Sequence, residues 1–414
     1  MHRVRQSLPY LPSMGWRPIV LAVRPDRVEG YRDELLLQTV PDDTEVHHVS
    51  ALPTRWTRTV GLGDLAMRAL PSYLRAGSRL IRQQSIDLVY FSTTAFPVLA
   101  LGRYWKQSYG IPYVIDMQDP WYTGSYVKEG KRSLKARLSD WTGRCLEPLA
   151  MRGVGGLLAV SQGYCTALAE RYESITPSMC ATIPFGAAER DFDVLEGADL
   201  DNPFFVPGSD CVDVVYVGRG GHDMEPSSHG LFGAIARGLN EKPALFGKLR
   251  LHLVGTSYAP AGQGEKTLEP IAEEYGVDDQ VSEHPARVPY FQTLHLLREA
   301  DMLVLPGSDD PNYTASKLYP YILAKKPLLA VFHENSSVVD ILRETQAGRA
   351  VTFEASTPEE SLGERVYETW STMLERLPYT PETDWQAFEP YTAEAMTRKQ
   401  VEVFDQVLNT TPLR

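Results

Sequence analysis

Apolar residues along the chain fall in short runs, separated by longer stretches whose apolar positions recur at helical spacing. In the first half the runs are Pro18–Val23, Glu45–Val49, Asp87–Phe91, Pro112–Ile115 and Gly156–Val160. Helical patterns such as Leu65–Gln84 and Leu134–Met151 lie between them. Strand alternating with helix implies parallel sheets with helices on both faces. Continuous rather than alternating apolar strands fit a sheet covered on both sides. From Gly186 to Asp210 the pattern breaks into an acidic stretch with proline and glycine and no sustained period, which reads as a linker. The alternation then restarts with Val212–Val217, Leu249–Val254, Gln280–Glu283, Met302–Leu305, Leu328–Phe332 and Ala350–Phe353. A last helical pattern runs over Thr392–Leu408.

The fold class read from this order is α/β, with two Rossmann-like doubly wound domains facing across a cleft. The expected boundaries are residues 1–190, a linker 191–210, a second domain 211–390 and a final helix 391–414. A length of 414 residues with 43% hydrophobic content agrees, being long for a single core. No run of about 18 apolar residues suggests a membrane span, and the N-terminus lacks the apolar core of a secretory signal. The four cysteines, Cys145, Cys165, Cys180 and Cys211, lack metal-ligand spacing. Reduced thiols in a cytoplasmic protein are the expectation, with no metal.

Charge adds an asymmetry. The net charge is −12, but residues 1–200 carry +2 and residues 51–150 alone carry +7. Only the first half suits an anionic partner, and nothing in the chain points to nucleic acid. Lys128, Lys131, Arg132, Lys135 and Arg137, flanked by Trp121 and Trp141, make residues 121–141 a candidate peripheral face for an anionic membrane surface or acceptor. The ordinary alternative is a solvated basic helix.

Three places carry candidate chemistry. Val214–Val217 runs into Gly218-Arg219-Gly220-Gly221, where glycines admit a phosphate to the backbone and Arg219 offers a charged fork; a plain strand-to-loop turn is the alternative. Met302–Leu305 runs into a polar loop and a helix beginning near Thr314 or Ser316, a start that suits a diphosphate. Ser316 there caps the helix or meets a phosphate, and Lys317 adds a point charge. Val114–Ile115 runs out into Asp116-Met117-Gln118-Asp119-Pro120-Trp121, strand-end carboxylates suited to substrate hydroxyls or to capping a turn.

In order and spacing these segments resemble the retaining family-four-type glycosyltransferases of GT-B architecture. The resemblance runs through Tyr216-Val217-Gly218-Arg219-Gly220-Gly221, Leu253-Val254-Gly255, His284–Tyr290, Ala300–Pro306, Ser316–Ala324 with Lys326-Pro327, and, in the first half, Ala159-Val160-Ser161 and Ile183–Gly186. It implies transfer of a sugar from a nucleoside-diphosphate sugar to an acceptor hydroxyl, with retention, no cofactor and no metal. The acceptor would be a glycan, a lipid-linked molecule or a small molecule. Gly218, Arg219, Val288, Asn312, Ser316 and Lys317 would form the donor side; Asp116, Gln118 and Asp119 would line the acceptor side as the catalytic candidates. The final helix would cross back to the first domain, and the site would lie at the inner membrane face or in the cytoplasm.

The chain departs from that pattern in four ways. Asn312 and Pro320 stand at the positions of the family's two glutamates, leaving Asp309 or Asp310 as candidates for ribose and sugar. His222-Asp223-Met224-Glu225 stands where many members carry a lysine, and Gln118 where a histidine often precedes the aspartate. The chain also opens inside the family's first helix, with Val4, Leu8 and Leu11 as its apolar side. The opening strand is then expected to be missing from the centre of the first sheet. Two readings compete with the transferase: a non-catalytic sugar-binding or partner subunit, and a nucleotide-sugar epimerase.

Overall fold

Each apolar run becomes a strand, and all the ladders are parallel. The computed structural model describes residues 2–28, 33–54, 64–121, 134–259, 262–310 and 316–410, with no side chains over 134–141. The chain divides into two units. One comprises Met1–Arg32, Val40–Gly186 and Ala393–Arg414; the other comprises Asp33–Thr39 and Ala187–Thr392.

In the first unit, β1 (Ile19–Val23) pairs with β2 (Glu45–Val49) as a sheet of two. A separate sheet runs β3 (Val89–Ser92), β4 (Tyr113–Met117), β5 (Gly156–Ala159) and β6 (Cys180–Thr182), in that order. No ladder joins the two sheets among the described residues. The split shows in burial: β1 is half-buried at every position, whereas β4 and β5 are buried throughout. The helix Leu65–Gln83 packs on β1 and β2 and starts at Asp64, whose carboxylate accepts from Ala66 N at 2.7 Å and Met67 N at 3.3 Å. On the face of β4 and β5, Val114 and Leu158 meet Met396, Val401, Phe404 and Val407 of the final helix, Ala393–Thr410. That helix approaches closely because β5 begins with glycine. A Cβ on Gly156 would lie 2.8 Å from Val403 Cγ1.

The first helix, His2–Ser7, differs from its expected apolar side. It buries Arg3, Arg5 and Ser7, and leaves Val4 half-exposed. The physical reason is a distant partner for Arg3, described below. Leu8 and Leu11, just beyond the helix, are buried as expected.

The second unit is a sheet of six strands ordered β12-β11-β10-β7-β8-β9. These are β7 (Val212–Val217), β8 (Leu249–Val254), β9 (Val281–His284), β10 (Met302–Pro306), β11 (Leu328–His333) and β12 (Arg349–Phe353). Their side chains form one core with the helices Glu225–Glu241 and Glu359–Leu374, which pack against each other where Gly230 faces Leu362.

Two segments depart from the sequence reading. The stretch read as a linker holds a helix, Glu189–Glu196, whose Leu195 is buried with Phe291 and Leu294. Its buried Asp191 accepts a hydrogen bond from Tyr290 Oη at 2.6 Å. Asp33–Thr39, from the first half of the chain, joins this unit too, with Leu35 and Leu36 packed on the same cluster.

Candidate active site

The strand order of the second unit reverses between β7 and β10, and open α/β sheets bind ligands outside the carboxyl ends of the strands at such a point. Here the two strands part. β7 and β10 pair only at Val214–Met302 and Val215–Leu303. β7 stays with β8 up to Val217–Val254, and β10 with β11 up to Pro306–Val331. Tyr321, buried in the short helix Leu318–Leu323, enters the gap: its hydroxyl accepts from Val217 N at 2.7 Å and donates to Val217 O at 3.2 Å. The backbone of β7's end is thereby satisfied while its tip is left free of β10.

Gly218 and Lys317 meet at that tip. A Cβ on Gly218 would overlap the Lys317 ammonium and sit 2.6 Å from Tyr216 Oη, so glycine is needed for the lysine to reach in. Lys317 Nζ donates to Tyr216 Oη at 3.5 Å and lies 5.5 Å from the centre of the Tyr216 ring. Tyr216 is itself fixed, buried and donating to Arg219 O at 2.8 Å. Loss of hydration, then the charges of Arg219 and Arg287, lowers the Lys317 pKa to about 8. A half-buried ammonium within the electrostatic reach of two guanidinium groups is a place where an anion is favoured.

The neighbouring loops are tied down. Gly218 N donates to Val254 O at 2.9 Å and Gly220 N to Thr256 O at 2.7 Å, carrying the β7–β8 ladder past the strands. Thr256 Oγ1 donates to buried Glu283, which also accepts from Thr267 N, Leu268 N and Glu269 N and so pins the following loop. Arg287, exposed beyond β9, stacks on Tyr258 with its guanidinium 4.0 Å from the ring centre. Val288 is half-buried against the core. Arg219 forms a double ion pair, Nη1 to Asp223 Oδ1 at 2.7 Å and Nη2 to Asp223 Oδ2 at 2.5 Å. Arg219, chiefly, and also Ser308 hold the Asp223 carboxyl below its usual pKa.

Of the expected donor side, Gly218, Arg219 and Lys317 converge here, with Val288 on a neighbouring loop. Asn312 lies outside the described residues. Of the two expected helix starts, Thr314 lies outside the described residues and Ser316 is corrected: the described helix begins at Leu318, and its N-cap is Lys317 with no side-chain cap bond. Pro320 explains this, because a proline ring clashes with the carbonyl four residues earlier, which is that of Ser316. Asp309 and Asp310 are exposed on the adjoining loop, and Asp309 N donates to Asp223 O at 2.8 Å. Sequence reasoning passed over Asp223, Arg287 and Tyr258 as site residues. Only Asp223 carried a signal, its spacing of four residues from Arg219.

The first-unit candidates separate by exposure. Asp116 is buried, and its Oδ2 accepts from Gln118 Nε2 at 2.7 Å, Ser92 Oγ at 2.9 Å, Tyr90 Oη at 3.2 Å and Arg3 Nε at 3.3 Å. Arg3 also donates Nη1 to Pro184 O at 2.7 Å and Nη2 to Ile183 O, with Phe185 under its guanidinium. Burial, then the Asp116 charge, raises the Tyr90 pKa well above 10. Asp116 is therefore the hub that locks the first helix to β3, β4 and the segment after β6; burial sets it apart from an acceptor-lining carboxylate. Gln118 is half-buried, Asp119 is exposed, and Trp121 stacks on Phe96 at 5.4 Å. The basic stretch lies outside the described residues from 122 to 133, as do the side chains of Lys135, Arg137 and Trp141. Among described residues, no helix is long and apolar enough to cross a membrane.

Comparison with known proteins gives these sites a setting. Residues 2–186 match the family described as the glycosyl transferase 4-like domain. No curated protein sequence matches the chain. Among solved structures, HepE from Anabaena, crystallised with UDP and glucose, is 15% identical, with a TM-score of 0.56 over 98% of this chain and 95% of that one. A glycosyltransferase from Rickettsia africae is 12% identical, with a TM-score of 0.55 over 99% and 94%. A UDP-forming α,α-trehalose-phosphate synthase from Burkholderia xenovorans is 10% identical, with a TM-score of 0.52 over 96% and 100%. Identity this low speaks for fold, and on the sum of these findings the chain has the GT-B fold of the glycosyltransferases, with a glycosyl transferase 4-like region over its residues 2–186.

Proposed function

We propose that the protein transfers a sugar from a nucleoside-diphosphate sugar to an acceptor hydroxyl, with retention at the anomeric carbon as the resemblance of its sequence implies. The observation that carries the reading is the meeting of Lys317 and Arg219 at the tip of β7, where Gly218 opens the space and Arg287 adds a third cation. On this reading the second unit holds the donor. Lys317 and Arg219 take the diphosphate, whose negative charge grows as the bond to the sugar breaks, and stabilise it as a leaving group. These cations supply the charge without a metal. The Arg287–Tyr258 pair offers a flat surface beside Val288 for the base. Gln118 and Asp119 serve the acceptor.

The likeness in fold to HepE, crystallised with UDP and glucose, supports a uridine donor as the first to test. The experiment is calorimetric titration with UDP and other nucleoside diphosphates, followed by mass-spectrometric assay of UDP release from UDP-sugars with and without acceptors. Arg219→Ala is expected to weaken binding by about 1.5–3 kcal/mol, the range for a charged hydrogen bond. A folded protein that binds no nucleoside diphosphate would refute the reading. Diphosphate release that needs no acceptor and yields an isomerised sugar would favour an epimerase.

A further inference from the structure

Arg219 is the residue best shaped to grip a diphosphate, yet its fork is already filled. Both terminal nitrogens meet the two carboxylate oxygens of Asp223, the bidentate pairing that guanidinium forms equally with carboxylate and with phosphate. The place of Asp223 is built into the loop. A Cβ on Gly221 would lie 3.0 Å from Asp223 Oδ1, so the glycine leaves the room in which the carboxylate rests. Met224 N donates to Gly221 O at 2.9 Å, folding the short turn His222–Met224 that swings Asp223 back toward Arg219. The backbone of Asp223 is anchored independently, its carbonyl accepting from Asp309 N. The side chain, held by Arg219 and Ser308, is partly open to solvent: Asp223 is 34% exposed and Arg219 is 24% exposed, so water can take over from Arg219 or from the carboxylate.

We infer that the Asp223 carboxylate is an internal stand-in for the donor diphosphate, holding Arg219 in the empty protein and yielding it when the donor binds. This rests on the function proposed above. A phosphate that reached the Arg219 fork with Asp223 in place would set two negative groups on one guanidinium. Binding therefore exchanges carboxylate for phosphate, and Asp223 turns outward on its anchored backbone. The exchange lowers donor affinity. It also keeps Arg219 neutralised beside Lys317, so the empty site does not hold three unopposed cations.

The test is titration of the full-length protein with UDP at several salt concentrations, comparing wild type, Arg219→Ala, Asp223→Asn and Asp223→Glu. Asp223→Asn is expected to bind UDP about tenfold more tightly and to lose affinity more steeply with added salt, because an uncompensated guanidinium then meets the phosphate. Asp223→Glu, which keeps the charge, is expected to stay within about threefold of wild type. If Asp223→Asn binds as wild type or more weakly while Arg219→Ala still loses affinity, the stand-in role is overturned and the donor site remains. If neither wild type nor Asp223→Asn binds any nucleoside diphosphate while both melt cooperatively, both proposals fall.

Discussion

Lys317 carries a charge that the empty site penalises, so removing it should stabilise the protein while disabling it. Its pKa falls from 10.5 to about 8, mainly through lost hydration. At about 1.4 kcal/mol per tenfold change, this corresponds to about 3 kcal/mol against charging the side chain in the folded state. Lys317→Met keeps a flexible stem and removes the ammonium. It gives up the contact with the Tyr216 ring at 5.5 Å, worth about 1 kcal/mol. The expected net gain is about 2 kcal/mol, or about 4–8 °C in melting temperature for a unit of this size. The pH dependence has a definite sign. A lysine with a depressed pKa releases its proton from the folded state first, so the penalty is fully present below pH about 8 and fades as pH rises toward 10.5. The gap between variant and wild type, followed by differential scanning calorimetry, should hold constant near neutral pH and close in alkali. The rise in melting temperature that UDP gives the wild type should be absent from the variant. A variant that melts at or below wild type at neutral pH, or a gap that ignores pH, would refute the argument.

Two further substitutions probe the two units separately. Gly218→Ala places a methyl group against Lys317 Nζ and the fixed Tyr216 hydroxyl; urea unfolding should show a loss of about 1–3 kcal/mol, the usual cost of overpacking, and UDP binding should weaken. Unchanged unfolding and affinity would mean the lysine does not occupy that space. Arg3→Met strips the charged partner from buried Asp116 and should cost about 3–5 kcal/mol, part of it recovered in the Arg3→Met, Asp116→Asn double variant; a neutral single variant would show that Tyr90, Ser92 and Gln118 alone hold the carboxylate.

The strands were legible because a doubly covered parallel sheet writes itself as continuous apolar runs. Val212–Val217 and Leu249–Val254 match residue for residue. What stayed hidden depends on contacts between distant residues. Arg3 is a polar residue at a buried position because Asp116 waits 113 residues away. Asp191 conceals the buried side of the helix Glu189–Glu196, since it reads as a solvent-facing acid until Tyr290 is placed against it. The allegiance of Leu35 and Leu36 to Phe291 and Leu294 has no local signal either. At the site, Gly218 and Arg219 could be read from a glycine-rich strand end, and Lys317 from a loop after a buried strand. Their closeness, and the capture of Arg219 by Asp223, are matters of topology.

The final helix sets an order on folding. The second unit is drawn from Asp33–Thr39 and Ala187–Thr392, so nearly all of it is one continuous stretch of chain. The core of the first unit places Met396, Val401, Phe404 and Val407 against Val114 and Leu158 of the central strands. Those four residues follow the whole of Ala187–Thr392 in the chain, so a ribosome adds them after it. During synthesis, β4 and β5 therefore wait with an apolar face uncovered until Ala393–Thr410 has been made, while the second unit already has its own strands. The usual succession, in which the N-terminal domain is finished first, is inverted: the half of the chain made first is the half completed last.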